Sequence, residues 1–233
     1  MKILTIIPAR GGSKGIKLKN LTKINDKPLV AFSIEHSLES KLINRTIVST
    51  DNEEIAKVSE EYGAEIPIFR SKELAGDDIL DFPVFEHMLA HLKKEENYEP
   101  DIVVHLRPTS PYRKPEWIDS AINLLIKNSS ADSVRSVSEP SQHPYRIFEI
   151  KNKYLHPLMN ERHPEPYLLR RQDLPKMYYY NCVIDVTKPS TIFNKKSMTG
   201  DKMLPYIMNM EDSIDIDAKV DLEFARFFLK DRI

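Results

Sequence analysis

The sequence predicts an α/β protein: a doubly wound, mostly parallel sheet with helices on both faces and one inserted arm. Three observations carry that prediction. Apolar β-type runs alternate with helical patterns through the first 138 residues, which is the rhythm of strand–helix–strand units. The first run opens directly into a loop holding three glycines and four cations, where a strand of such a sheet presents its ligands. Prolines then crowd the stretch 139–180, which does not suit a continuing wound sheet.

The elements follow in order. Ile3–Pro8, apolar almost throughout, reads as a buried parallel strand. Pro28 starts a helix that carries Leu29, Val30, Phe32, Ile34 and Leu38 at helical spacing. Arg45–Thr50 is a second, β-branched strand. Asp51 or Asn52 caps the helix Glu53–Tyr62, and Gly63 stops it. Glu65–Phe69 reads as a third short strand, Asp101–Leu106 as a fourth and Ala131–Val137 as a fifth. Helical patterns over 80–94 and 115–127 separate these last three. Asn181–Val186 brings the chain back as a strand, and 217–230 closes it as an amphipathic helix. The organisation is a core of 1–138 and 181–233, with 139–180 as a flap or dimerisation arm.

A chain of 233 residues suffices for one large α/β domain. Hydrophobic residues make up 41% and charged residues 30%, a globular rather than a disordered balance. The net charge of −1 leaves no global field to draw in nucleic acid or membrane, so any anion site must be local. The lone Cys182 cannot close an internal disulfide, suits a reducing compartment and reads as a buried, inert residue. No apolar run reaches the length of about 18 residues that a membrane helix needs. Ile3–Ile7 is also too short for a signal-peptide core. The expectation is a cytoplasmic protein.

Four segments carry chemistry. In Arg10-Gly11-Gly12-Ser13-Lys14-Gly15 the glycines admit close backbone approach. Successive N–H groups there form an anion nest, and Arg10 and Lys14 add full charges. This suits a triphosphate, although neither G-x-x-x-x-G-K-[ST] nor G-x-G-x-x-G is present. An ordinary basic surface loop would look similar. In Met210–Asp217, side chains two apart share a side. Asp215 and Asp217 therefore face together while Ile214 and Ile216 turn to the core. The pair suits Mg²⁺ or Mn²⁺, and Asp217 equally suits a helix cap. In Leu106–Arg113, Pro108 and Pro111 stiffen a loop on which Arg107, Thr109 and Ser110 offer donors to sugar hydroxyls or phosphates; a plain rigid turn would read alike. Arg170 and Arg171, followed by Tyr178–Tyr180 and Asn181, suit a carboxylate clamp or a packing interface. His87 and His91 lack the H-E-x-x-H pattern and read as helix-face residues.

Together these segments resemble the acylneuraminate cytidylyltransferase family, the CMP-sialic acid synthetases. The motifs fall in family order: Ile7–Asn20, Pro108–Arg113, Arg171–Pro175, and Asp212–Asp217 followed by Asp221-Leu222. The resemblance implies a Rossmann-like nucleotidyltransferase fold that transfers CMP from CTP to a nonulosonic acid and releases pyrophosphate. It implies a homodimer with a shared active site, in which the arm closes the partner's sugar pocket. Arg10, Gly11, Gly12, Ser13 and Lys14 would hold the CTP phosphates, with Lys19, Asn20 and Arg70 at the nucleoside end. Asp215 and Asp217 would hold Mg²⁺ and, with Arg10 and Lys14, form the catalytic set. Arg146 and Arg171 would bind the sugar-acid carboxylate, and Arg107, Thr109, Ser110, Tyr179 and Asn181 would line the sugar pocket. Two departures from the pattern lie toward that pocket: Arg107 where the family often has Gln, and Tyr179-Tyr180-Asn181-Cys182 where sialic acid enzymes often have R-P-N-G. They point to a legionaminic- or pseudaminic-type acid. The rival readings are a sugar-1-phosphate nucleotidyltransferase and, from another class, a non-catalytic nucleotide-binding protein of the same fold.

Overall fold

A run as apolar as Ile3–Pro8 is stable only with both faces covered, and β1 (Ile3–Pro8) does lie inside a sheet. The computed structural model describes residues 1–159, 163–230 and 232, so positions 160–162 of the expected arm lie outside the described residues. The remaining strands are β2 (Lys23–Ile24), β3 (Lys27–Pro28), β4 (Arg45–Ser49), β5 (Ile102–His105), β6 (Ser133–Ser138), β7 (Phe148–Lys151), β8 (Tyr154–Pro157), β9 (Tyr179–Thr187) and β10 (Met203–Ile207). The helices are α1 (Leu29–Leu38), α2 (Glu53–Glu61), α3 (Asp81–Glu96), α4 (Pro115–Lys127), α5 (Pro189–Lys195) and α6 (Lys219–Leu229).

Six strands form the central sheet in the order β10-β6-β9-β5-β1-β4. Alternating side chains of β1 divide its two faces. Ile3 and Ile7 pack with Val30 and Ile34 of α1, Ile55 of α2 and Ile118 and Ile122 of α4. Leu4 and Ile6 pack with Phe85, Met88 and Leu89 of α3 and Ile192 of α5. The doubly wound expectation therefore holds.

β9 alone runs antiparallel to its neighbours, β5 and β6. The reason is topological. The chain leaves β6 at its C-terminal end, makes the arm and re-enters from that same end, so no crossover turns it round. The start of β9 consequently lies beside the C-terminal ends of the parallel strands. There β9 carries a bulge: Arg135 pairs with Asp185, but Val137 pairs with Tyr180. The extra residues are taken up at Cys182, whose φ of 61° is left-handed and costs a non-glycine residue about 1–2 kcal/mol. Bonds from Val183 N to Asn181 Oδ1 (3.2 Å), Ile184 N to Ser136 Oγ (2.8 Å) and Arg113 Nε to Val183 O (2.6 Å) fix the distortion. Bulges of this kind re-aim side chains beside functional sites.

Three expectations need correction. Glu65–Phe69 is not a strand; one parallel bridge, Ile47 to Glu65, is all that forms. Pro67 has no N–H to continue the ladder. The last helix begins at Lys219 rather than 217, because the Asp221 carboxylate turns back to accept from Ala218 N (2.7 Å) and Asp217 N (3.0 Å). Cys182 is half-buried rather than buried. Between β6 and β9 the chain leaves the central sheet and forms the hairpin β7–β8, but it is back in the sheet at Tyr179, paired with Ser138, two residues before the expected return at Asn181. Ile150, Tyr154 and Leu155 of that hairpin are exposed.

Candidate active site

The two ends of the chain meet through a small apolar cluster. Ile16 from the loop after β1 packs with Ile214 and Ile216, and with Ile24, Leu29, Phe32, Leu222, Ala225 and Leu229. The predicted alternation is present: Ile214 and Ile216 are buried, while Asp215 and Asp217 are exposed. Three further contacts fix this register. Ile216 N donates to Thr109 O (2.9 Å), Lys19 Nζ donates to Ile216 O (2.8 Å), and Lys19 Nζ lies 3.2 Å from Asp217 Oδ1. Gly15 approaches so closely that a Cβ there would stand 2.5 Å from Asp217 O. The glycine-and-cation loop, the Pro108–Arg113 loop and the two aspartates thus come together beyond the C-terminal ends of β1, β4 and β5, and the space between them is the candidate cleft. Because Asp221 caps α6, Asp217 is free of that duty.

Loop glycines act here through their missing side chains, not through left-handed backbone. A Cβ on Gly11 would lie 2.9 Å from Asn52 Cβ. Gly11 N donates to Asp51 Oδ1 (2.8 Å), so this N–H is spent within the protein and leaves the nest to Gly12 and Ser13. Asn52 is the residue that caps α2, accepting from Ile55 N (3.0 Å). Asn20 is buried and donates its amide to Arg10 O (2.9 Å), which makes it a brace for the loop. Arg10 and Lys14 remain at the surface of the cleft, both paired with Asp77.

Asp215 keeps an exposed edge, yet the cleft walls withdraw enough water to push its carboxyl above the usual range. The adjacent Asp217 charge adds to that effect, against a lowering hydrogen bond from Thr109. An acid raised by burial and by a neighbouring carboxylate is a fit partner for a hard cation, whose charge reverses the penalty. Among the described residues no third acid, His or Cys joins them, so such a cation would draw its other ligands from water and substrate.

Deeper in the cleft lies a polar cluster that sequence reasoning missed. His105, Asp185 and Arg135 stand side by side on β5, β9 and β6, all buried. Asp185 Oδ2 accepts from Arg107 Nη1 (2.7 Å) and from the Tyr180 hydroxyl. Arg107 Nη2 donates to Asp81 Oδ2 (2.8 Å) at the start of α3. Burial alone would disfavour the Arg107 cation, but Asp185, Tyr180 and Asp81 outweigh it and hold its pKa above the usual value. Burial pushes His105 well below its ordinary value, and Arg107 pushes in the same direction, so this imidazole is neutral. Burial, then Asp185, raises the Tyr180 phenol. Arg113 is buried and bonded to three neutral acceptors, Val183 O, Ser33 Oγ and Arg107 O. Burial and Arg107 lower its pKa to about 9.

Other predicted site residues fall as follows. Arg70 is buried against Ser49 (Nη2 to O, 2.7 Å), which lowers its pKa to about 10. Thr109 is half-buried at the cleft. Tyr179 is exposed and its hydroxyl lies 2.9 Å from Ser213 Oγ, which brings it beside the aspartate segment. Ser110 and Asn181 are buried. Asn181 is committed to Ser138 and to Val183 N, so it supports the pocket rather than lines it, whereas the buried Ser110 hydroxyl has no partner among the described residues. Arg107 is held by two carboxylates and is not a free donor. Arg146 and Arg171 sit exposed on the arm, with Arg146 donating to Leu169 O (3.0 Å).

Comparison with known proteins shows the family and the fold. A profile described as cytidylyltransferase matches residues 4–200. The chain is 34% identical to a CMP-N,N'-diacetyllegionaminic acid synthase of Legionella pneumophila, over 95% of this chain and 93% of that one. It is 33% identical to an N-acylneuraminate cytidylyltransferase of Escherichia coli, over 96% of this chain and 51% of the longer relative. In fold it matches a CMP:2-keto-3-deoxy-manno-octonic acid synthetase solved with CTP, at a TM-score of 0.76 and 14% identity, with each chain covered completely.

The raised Asp215 carboxyl fixes the sign of one prediction. Folding disfavours its ionised form, so the folded protein loses stability as pH rises past the unfolded value near 4, and below that value the penalty vanishes. In chelator, Asp215→Asn should raise the thermal midpoint at pH 7 by about 2 °C, a small effect because solvent screens the site. The difference should disappear near pH 3.5 in the same calorimetric comparison.

Proposed function

The chain belongs to the cytidylyltransferase family, and from that premise we propose that it activates a nonulosonic acid with CTP, forming the CMP-sugar and pyrophosphate. One observation carries the reading. The first loop, which carries the cations, and the segment of the paired aspartates, about 200 residues later in sequence, are held together by the Ile16, Ile214 and Ile216 cluster. The names of the bacterial relatives set the substrate class.

Arg10, Ser13 and Lys14 bind the β- and γ-phosphates of CTP and neutralise the leaving pyrophosphate. Arg70 stands behind them and supports the nucleoside end of the site. Asp215 and Asp217 would hold a divalent cation, Mg²⁺ or Mn²⁺, which when bound would supply charge for the α-phosphate. Lys19 holds Asp217 toward the cleft, and Thr109 O holds Ile216 so that the two acids face one way. The anomeric hydroxyl of the sugar acid attacks in line, and the pocket contributes mainly by positioning. Tyr179, Tyr180 and Thr109 border the place left for the sugar. The departures at Arg107 and at Tyr179–Cys182 favour a legionaminic- or pseudaminic-type acid over N-acetylneuraminic acid.

The arm supports a homodimer. An isolated two-stranded hairpin is marginal in water, and β7–β8 exposes Ile150, Tyr154 and Leu155. A second copy would cover them, and Arg146 and Arg171 on that arm would then reach the partner's sugar carboxylate. No helix among the described residues is long and apolar enough to cross a membrane.

Pyrophosphate release from CTP with a panel of nonulosonic acids, set against sugar 1-phosphates, tests the reaction. Turnover is expected only with the acids, and turnover only with the phosphates would replace this reading. Asp217→Ala should lower kcat/KM by about a hundredfold while the fold survives by circular dichroism. For the assembly, light scattering should give twice the chain mass, and Leu155→Asp should shift it toward one chain mass with loss of activity. A wild-type monomer of full activity would remove the shared site.

A further inference from the structure

We propose that Asp77 is an internal anion that occupies the phosphate position between Arg10 and Lys14, and that a polyphosphate ligand must displace it, so that this one carboxylate sets nucleotide affinity. The inference rests on the reading of the first loop as a polyphosphate site.

The geometry is that of a bridging anion. Asp77 Oδ1 lies 2.7 Å from Arg10 Nη1, and Oδ2 lies 3.2 Å from Lys14 Nζ. Each oxygen takes one cation, as two oxygens of a phosphate would. Those bonds, from Arg10 first and Lys14 second, hold the Asp77 carboxyl below its ordinary range, so it is charged at neutral pH. Both cations of the nest therefore have a partner before any ligand arrives.

The segment that carries Asp77 is built to let go. It is anchored at one end by buried Arg70 and at the other by Asp81, which Arg107 holds. Between them the backbone bonds are local: Leu74 N to Ser71 O, Ala75 N to Lys72 O and Ile79 N to Gly76 O. Gly76 through Leu80 are exposed. Beyond these local bonds, Arg10 ties the segment to the body of the protein through Asp77 and through Ala75 O (3.2 Å). A tethered carboxylate competes with free phosphate at a high effective concentration, yet it carries a single charge. A ligand with three or four charges displaces it, and release of the segment is then coupled to nucleotide entry.

The consequence has an unusual sign: removing a charged side chain at the cleft should strengthen binding. Isothermal titration of the full chain, without metal, with inorganic tripolyphosphate and separately with CTP tests it. At low salt Asp77→Asn should tighten both ligands about fivefold relative to wild type, the scale of an exposed ion pair, and the gain should shrink at high salt. Asp78→Asn removes the same charge from the neighbouring exposed position and should change affinity by less than about twofold if the effect belongs to the bridge rather than to the general field. Unchanged or weaker binding by Asp77→Asn overturns the inference, and so does an equal gain in Asp78→Asn. If the gain appears but no CMP-sugar forms with any acid, the enzymatic reading fails and this one stands. If CMP-sugar forms and the gain is absent, only this inference fails. If no variant binds either polyphosphate ligand, both fall.

Discussion

Burial of Ile216 against Ile16 is the contact on which the site depends. Each such side chain contributes about 1.5–3 kcal/mol when taken out of water, and together with Ile214 they tie the first loop to a segment 200 positions later. The aspartate segment from Ser213 to Ile216 has no regular secondary structure, so nothing in its own backbone would hold it. Its alternation does the work: burying the two isoleucines forces the intervening acids outward and into the cleft. Gly15 completes the fit, since any larger residue would collide with the Asp217 carbonyl.

Around this contact the charges are arranged by purpose. Deep in the cleft nearly every charge is answered within the protein, as burial demands: Arg107 by Asp185 and Asp81, and Arg70 and Arg113 by neutral oxygens. At the mouth the pairing is looser. Lys14 and Asp217 have largely exposed side chains and long contacts of 3.2 Å. Asp215 faces Asp217 at a cost. A surface with two adjacent acids on one wall and loosely held cations on the other is prepared for a ligand that carries both phosphates and a metal ion.

The sequence shows the fold wherever a local pattern is complete. β1 is continuously apolar, α4 begins with Pro115, and Ile214–Asp217 alternate, so each was readable. β10 was not, because Pro205 interrupts it; an edge strand tolerates that proline. α5, with seven residues, is too short to display a period. Glu65–Phe69 looked like a strand but lacks the N–H at Pro67. For the site, the motif residues mark the cleft, while the cluster around Asp185 stayed hidden. A single acid in Cys182–Thr187 gives no sign that Arg107, Tyr180 and Arg135 will converge on it, since only sheet order and the β9 bulge bring them together. Asn20 and Asn181 show the converse. Polar residues in a motif can serve the loop rather than the ligand, and burial decides which.

Crystallisation with CTP and Mg²⁺ is the most direct measurement of the central claim. The triphosphate is expected within hydrogen-bond reach of Arg10 and Lys14, with the metal bridging it to Asp215 and Asp217 and Ile216 still buried against Ile16. Nucleotide bound at the opposite end of the sheet, in the cavity lined by Met1, Ile102 and Lys188, with the first loop unoccupied, would contradict the account.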